Sequence, residues 1–81
     1  MKLQWTSHFV RAYLKAPEDI QRAFDKQSLL LLQSLRPPLL RAKKYDEGKG
    51  RWQARVTKDW RFYFFIGGDT YVLQDITPHP K

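Results

Sequence analysis

The sequence predicts an α+β fold: two N-terminal helices packed on one face of a small antiparallel sheet, in the order strand, helix, helix, three strands. Three observations carry this. The first third of the chain has apolar residues at helical spacing, the last third has three aromatic and β-branched runs separated by short turn signals, and proline punctuates the helical part. With 81 residues there is room for one domain, spanning residues 1–81, with one modest core. A hydrophobic fraction of 42%, of which the aromatic share is 15% of the chain, is enough to offset the entropy of ordering, which excludes a disordered basic tail.

Lys2 to Thr6 alternates polar and apolar residues and reads as a short strand. Thr6 or Ser7 can cap a helix from His8 to about Ala16, with Phe9, Val10, Ala12, Tyr13 and Leu14 as a broad apolar stripe. Pro17 ends it and suits the first turn of a second helix, where Glu18 and Asp19 complement the dipole. In that helix Ile20, Ala23, Phe24, Leu31, Leu32 and Leu35 form the apolar side, and Pro37-Pro38 closes it. Leu39 to Gly50, with Arg41, Lys43, Lys44 and Lys49, has no sustained period and reads as a basic loop. Arg51 to Thr57, Trp60 to Ile66 and Thr70 to Ile76 then form a meander, and the tail Thr77-Pro78-His79-Pro80-Lys81 is expected to leave the sheet at once, because proline cannot serve a central ladder.

With helices on one side only, the composition of the other sheet face is the most informative feature of the chain. If Trp52, Ala54, Val56, Phe62, Phe64 and Ile66 point to the helices, then Arg51, Gln53, Arg55 and Thr57 share the other face with Arg61, Tyr63 and Phe65. A plain two-residue turn at Lys58-Asp59 would put Arg61 on the core side, so a bulge near Thr57 to Trp60 is required. The third strand admits two registers, one burying Val72 and Ile76, the other Tyr71 and Leu73. Asp75 is expected outward or at the rim, because an unpaired buried carboxylate is costly.

The net charge of +7, from 15 Lys and Arg against 8 Asp and Glu, selects polyanionic partners. No cysteine is present and the two histidines are far apart, which argues against a thiol nucleophile or a metal site; no cofactor is expected. The uncharged run Gln27 to Leu35 is far short of the roughly 18 apolar residues that span a bilayer, and Met1 to Trp5 lacks a secretory pattern, so a cytoplasmic protein with no membrane partner is expected. Guanidinium groups for phosphate, aromatic surface for bases and the imidazole of His79 on or near one face make single-stranded RNA the ligand whose chemistry uses all three. His8, near a helix start, reads as an ordinary surface or core residue.

The segments Arg36-Pro37-Pro38-Leu39-Leu40-Arg41-Ala42-Lys43-Lys44, Gly50-Arg51-Trp52-Gln53-Ala54-Arg55-Val56, Trp60-Arg61-Phe62-Tyr63-Phe64 and Gly68-Asp69-Thr70-Tyr71-Val72-Leu73, followed by Ile76 and His79, resemble the RelE/ParE superfamily of bacterial toxin–antitoxin toxins, most closely its RelE/YafQ-like ribonuclease branch. That resemblance implies two helices on an antiparallel sheet, a cognate antitoxin, and metal-independent cleavage of mRNA, typically in the ribosome, which inhibits translation. DNA would be met only through the antitoxin. It implies Arg61 as the phosphate-stabilising residue, Arg55 as a second basic position, His79 as general acid, and Lys43 and Lys44 as contacts to RNA or ribosome. Gln53, Tyr63, Trp60 and Lys81 complete the expected substrate contacts. The general base is unassigned, with Asp75, Asp46 and Glu47 as the nearby carboxylates. A ParE-like inhibitor of DNA gyrase, or an RNA- or ribosome-binding member without activity, is the alternative.

Overall fold

The computed structural model describes residues 2–33, 43–46 and 50–78. Its elements are β1 (Lys2–Trp5), α1 (Ser7–Lys15), α2 (Glu18–Gln33), β2 (Lys43–Asp46), β3 (Arg51–Thr57), β4 (Trp60–Gly67) and β5 (Thr70–Pro78). The α+β architecture expected from the sequence is present, with two additions to the sheet. Lys43–Asp46, expected as part of a basic loop, is a fourth strand of the C-terminal array, and β1 joins β5 in parallel, so the sheet is five-stranded and mixed in the order β1-β5-β4-β3-β2. Four residues with no apolar period carry no strand signal of their own; it is pairing with β3 that makes them one.

Thr6 is the cap of α1: its Oγ1 accepts from the Phe9 amide at 3.1 Å and donates to the Leu73 carbonyl at 2.8 Å, tying helix start to strand. At the other end, Gln21 Nε2 donates to the carbonyl of Tyr13 (2.9 Å), which also accepts from the Ala16 amide at 3.1 Å, and to the carbonyl of Ala16 (3.2 Å), just before Pro17. The apolar stripe of α1 is narrower than expected. Phe9 is buried and Ala12 and Tyr13 pack on the core, while Val10 and Leu14 face outward, Leu14 at 68% exposure. On α2 the buried line is Ile20, Phe24, Ser28 and Leu31; Leu32 is exposed, and Ser28 is accommodated because its hydroxyl donates to the Asp25 carbonyl at 2.7 Å. The expected stop at Pro37-Pro38, with Leu35, lies outside the described residues.

Phe24 stands at the centre of the core. Its ring lies 5.1 Å from Phe9, 5.1 Å from Phe62 and 5.6 Å from Trp5, so one side chain links β1, both helices and β4. Ala54, Val56, Phe62 and Phe64 face the helices as the alternation requires, and Ile66 keeps the same side, opposite buried Tyr71, but it is 37% exposed near the Gly67-Gly68 turn, beyond the core cluster.

Two bulges set the faces of the sheet. In β3 the register slips between Arg55 and Thr57, leaving Val56 as the extra residue, so the bulge required by parity exists just before the turn. In β5 it slips at Gln74, between Leu73 and Asp75. Tyr71 and Leu73 are buried before that slip and Ile76 after it, so each of the two candidate registers holds on its own side. β5 also runs two residues further than expected, through Thr77 and Pro78. Proline is tolerated there because β1 pairs β5 only from Thr70 to Leu73, which leaves the end of β5 as an edge. Among the described residues no helix is long and apolar enough to cross a membrane.

Candidate functional site

Arg55 and Arg61 are directly opposed across β3 and β4, and Thr77 of β5 is the next partner in that row. Both arginines alternate with core residues (Ala54, Val56 and Phe62), which puts them on the sheet face away from the helices. Like charges in directly opposed positions repel, so an arrangement of this kind is stabilised by an anion between or above them. Arg55 Nε is buried and has no hydrogen-bond partner among the described residues, a cost that a bound anion would remove. Arg61 is fixed differently. Its Nη1 donates to the carbonyls of Thr57 (2.7 Å), Trp60 (2.9 Å) and Lys58 (3.1 Å), so this guanidinium closes the β3–β4 turn and is held in place before any ligand arrives.

The neighbouring row is Lys43, Gln53, Tyr63 and Asp75, in register across four strands. Gln53 and Tyr63 are buried although neither α1 nor α2 covers this face. Arg51 provides part of the cover, its guanidinium carbon lying 4.7 Å from the Tyr63 ring centroid. A face expected to be open is therefore partly closed at its centre, and Arg51, Arg55 and Arg61 are all half-buried on it. Arg51 is on this face as strand alternation requires, but its contact with Tyr63, diagonal to its register partner Phe65, has no signal in the sequence.

The remaining candidates are distributed unevenly. Lys44 is the partner of Trp52, in the row of core residues, so by register it alternates with Lys43. Trp60 packs against the core and pairs with Pro78, on the helix side of the sheet from Arg61. Asp75 sits at the rim: its Oδ1 accepts from the Ile76 amide at 2.9 Å and lies 3.3 Å from His8 Nε2. His8, read from sequence as unremarkable, thus meets a carboxylate 67 positions away, a contact no local spacing could signal. Asp46 is the Cα partner of Arg51. His79, Lys81 and Glu47 lie outside the described residues.

No protein-family model matches the chain, and no curated protein matches it. Solved structures do. A RelE–RelB complex from Pyrococcus horikoshii superposes with a TM-score of 0.81 at 15% identity, covering 99% of this chain and 96% of that one. A YoeB/ParE toxin from Agrobacterium tumefaciens gives 0.79 at 17% identity, with 99% and 100% covered. The toxin–antitoxin complex RelBE2 from Mycobacterium tuberculosis gives 0.74 at 22% identity, with 98% and 96% covered. At these identities the likeness speaks to architecture, and nearly the whole length of both chains takes part. The chain therefore has the fold of the RelE/ParE toxin superfamily.

Proposed function

We propose that this protein is the toxin of a toxin–antitoxin pair and acts as a metal-independent endoribonuclease on mRNA, with translation as its target. The observation that carries this reading is the opposed Arg55–Arg61 pair, one guanidinium clamped by the turn and the other with an orphaned buried Nε, on a chain of net charge +7. Solved chains of the same fold are complexed with antitoxins, in the RelE–RelB and RelBE2 structures, which supports a cognate antitoxin here. An acidic antitoxin segment would meet the same cations as RNA does.

In the proposed reaction a base removes the proton of a ribose 2′-OH and the 2′-oxygen attacks the adjacent phosphorus. The bond to the 5′-oxygen breaks, and that oxygen takes a proton as it leaves. The products are a 2′,3′-cyclic phosphate and a 5′-hydroxyl end. Arg55 and Arg61 stabilise the additional charge on the phosphorane oxygens, the role in which fixed cations are most effective. His79, two residues beyond the Thr77 partner of Arg61, supplies the proton to the leaving oxygen, a task suited to an imidazole of ordinary pKa about 6.5. Lys43, in register with Gln53 and Tyr63, and Lys81 hold flanking phosphates, while Lys44, of the opposite parity on β2, reaches a phosphate only from the edge of the sheet. Asp75 Oδ1 is already engaged by Ile76 and His8, which fits it for positioning and leaves Asp46 and Glu47 as candidates for the base. The work is done in the cytoplasm, on a substrate presented by the ribosome.

The test is primer extension on mRNA in a translating extract. Wild-type protein is expected to create new 5′ ends, and Arg55→Ala to reduce their yield by about 100-fold, the scale of losing one transition-state cation. Arg55→Ala also removes a like-charge contact, so it should fold at least as well as wild type, and a thermal melt checks this. Transcripts left intact by wild-type protein while DNA supercoiling fails would overturn the reading in favour of a gyrase inhibitor.

A further inference from the structure

Because β1 pairs β5 only as far as Leu73, the segment from Asp75 to Pro78 has β4 on one side and α1 on the other. The space between is a groove of about 350 Å³, at the small end for a ligand site and suited to one planar group. His8, Arg11 and Lys15 line one wall and Trp60, Thr77 and Pro78 the other, over an apolar floor that includes Ala12 and Ile76. Arg11 and Lys15, at i and i+4 on α1, stand about 6 Å apart at their bases. Neither has a side-chain partner among the described residues, because Asp75, the carboxylate in the lining, is engaged by His8 and the Ile76 amide.

The groove adjoins the arginine pair around the edge of the sheet. Thr77 lines it and is the register partner of Arg61; Trp60 lines it and precedes Arg61 in the chain. We propose that this groove is a second nucleotide subsite, in which a base packs against Trp60 and Pro78 and the adjoining phosphate lies on Arg11 and Lys15, for a single strand passing over the β5 edge from Arg55 and Arg61. The path between the two sites rests on the reading of that pair as a phosphate site. An extended peptide is disfavoured as occupant, because the strand edge it would pair with is blunted: the Ile76 amide is taken by Asp75, and Pro78 has no N–H. A nucleotide needs no main-chain ladder, only an aromatic surface and cations, and both are present.

Binding is measured by fluorescence anisotropy with 2′-O-methyl oligouridylates of three and nine nucleotides, which lack the attacking hydroxyl. Arg11→Gln/Lys15→Gln should weaken the nine-mer at least tenfold, make its salt dependence shallower by about 1.4 in log K against log salt, and leave the three-mer unchanged, with an unaltered thermal melt. The Trp60 indole N–H resonance should move with the nine-mer. An unchanged nine-mer affinity in the double variant overturns the subsite. So does displacement of the Trp60 resonance by a Glu/Leu-rich acidic peptide and not by RNA, which assigns the groove to a protein. Arg55→Ala reports on the other site: if it leaves the three-mer unaffected while the double variant still weakens the nine-mer, the groove stands and the arginine-pair reading fails.

Discussion

At the scale of single residues, several side chains do two things at once. Arg61 offers a cation and also gathers three turn carbonyls, so its place on the face is set by folding rather than by ligand. Its location was legible because strand alternation and one inferred bulge fix the face, but the carbonyl cluster was not, since turn geometry decides where an arginine head can reach. Tyr13 is a second case. Its hydroxyl donates to Asp25 Oδ1 at 3.0 Å, and burial, with that bond and the carboxylate charge behind it, raises its pKa above the ordinary 10.0. The neutral phenol is thus favoured in the folded state, so this stabilisation is complete below pH 10 and declines as pH climbs toward the raised folded value. Tyr13→Phe should cost about 0.5–1 kcal/mol at pH 8 in urea unfolding, and the gap from wild type should narrow above pH 10. A gap constant with pH would show that the phenol's titration is not linked to folding.

At the scale of elements, the joints matter more than the elements themselves. The helices and the meander follow from periodicity and proline placement. The short β2 strand does not, because it exists only against β3. Likewise the competing registers of β5 could not be separated from the sequence, since a bulge at Gln74 realises both in turn. Thr6 is the joint between α1 and β5, and its hydroxyl serves both. Thr6→Ala should lower unfolding free energy by about 1–2 kcal/mol, the loss of an N-cap plus the link to Leu73, and Thr6→Ser should restore most of it; equal loss in both variants would point to the methyl group instead.

At the scale of the molecule, the first and last strands of the described chain are neighbours, with β1 parallel to the first half of β5, so residues about 70 positions apart share one sheet. Phe24 is where that pairing is felt, touching aromatic rings from β1, α1 and β4. Phe24→Ala should remove about 3–5 kcal/mol, a large part of the roughly 4–12 kcal/mol that a domain of this size holds. A shift in the urea midpoint with an unchanged slope would register it, and a loss below 1 kcal/mol would show that the core does not depend on this ring. The limited reach of β1 along β5 also leaves the edge on which the groove beside α1 depends.

The sequence by itself determined the class of fold, the two helices, the meander and the sharing of one face by Arg55 and Arg61, because each follows from local periodicity, proline chemistry and strand parity. Only the tertiary structure decided that β2 is a strand, that Arg61 is locked by its own turn, that Arg51 lies over Tyr63 and that His8 meets Asp75. These depend on contacts between residues distant in the chain or on the exact course of a turn, and neither leaves a period in the sequence to be read.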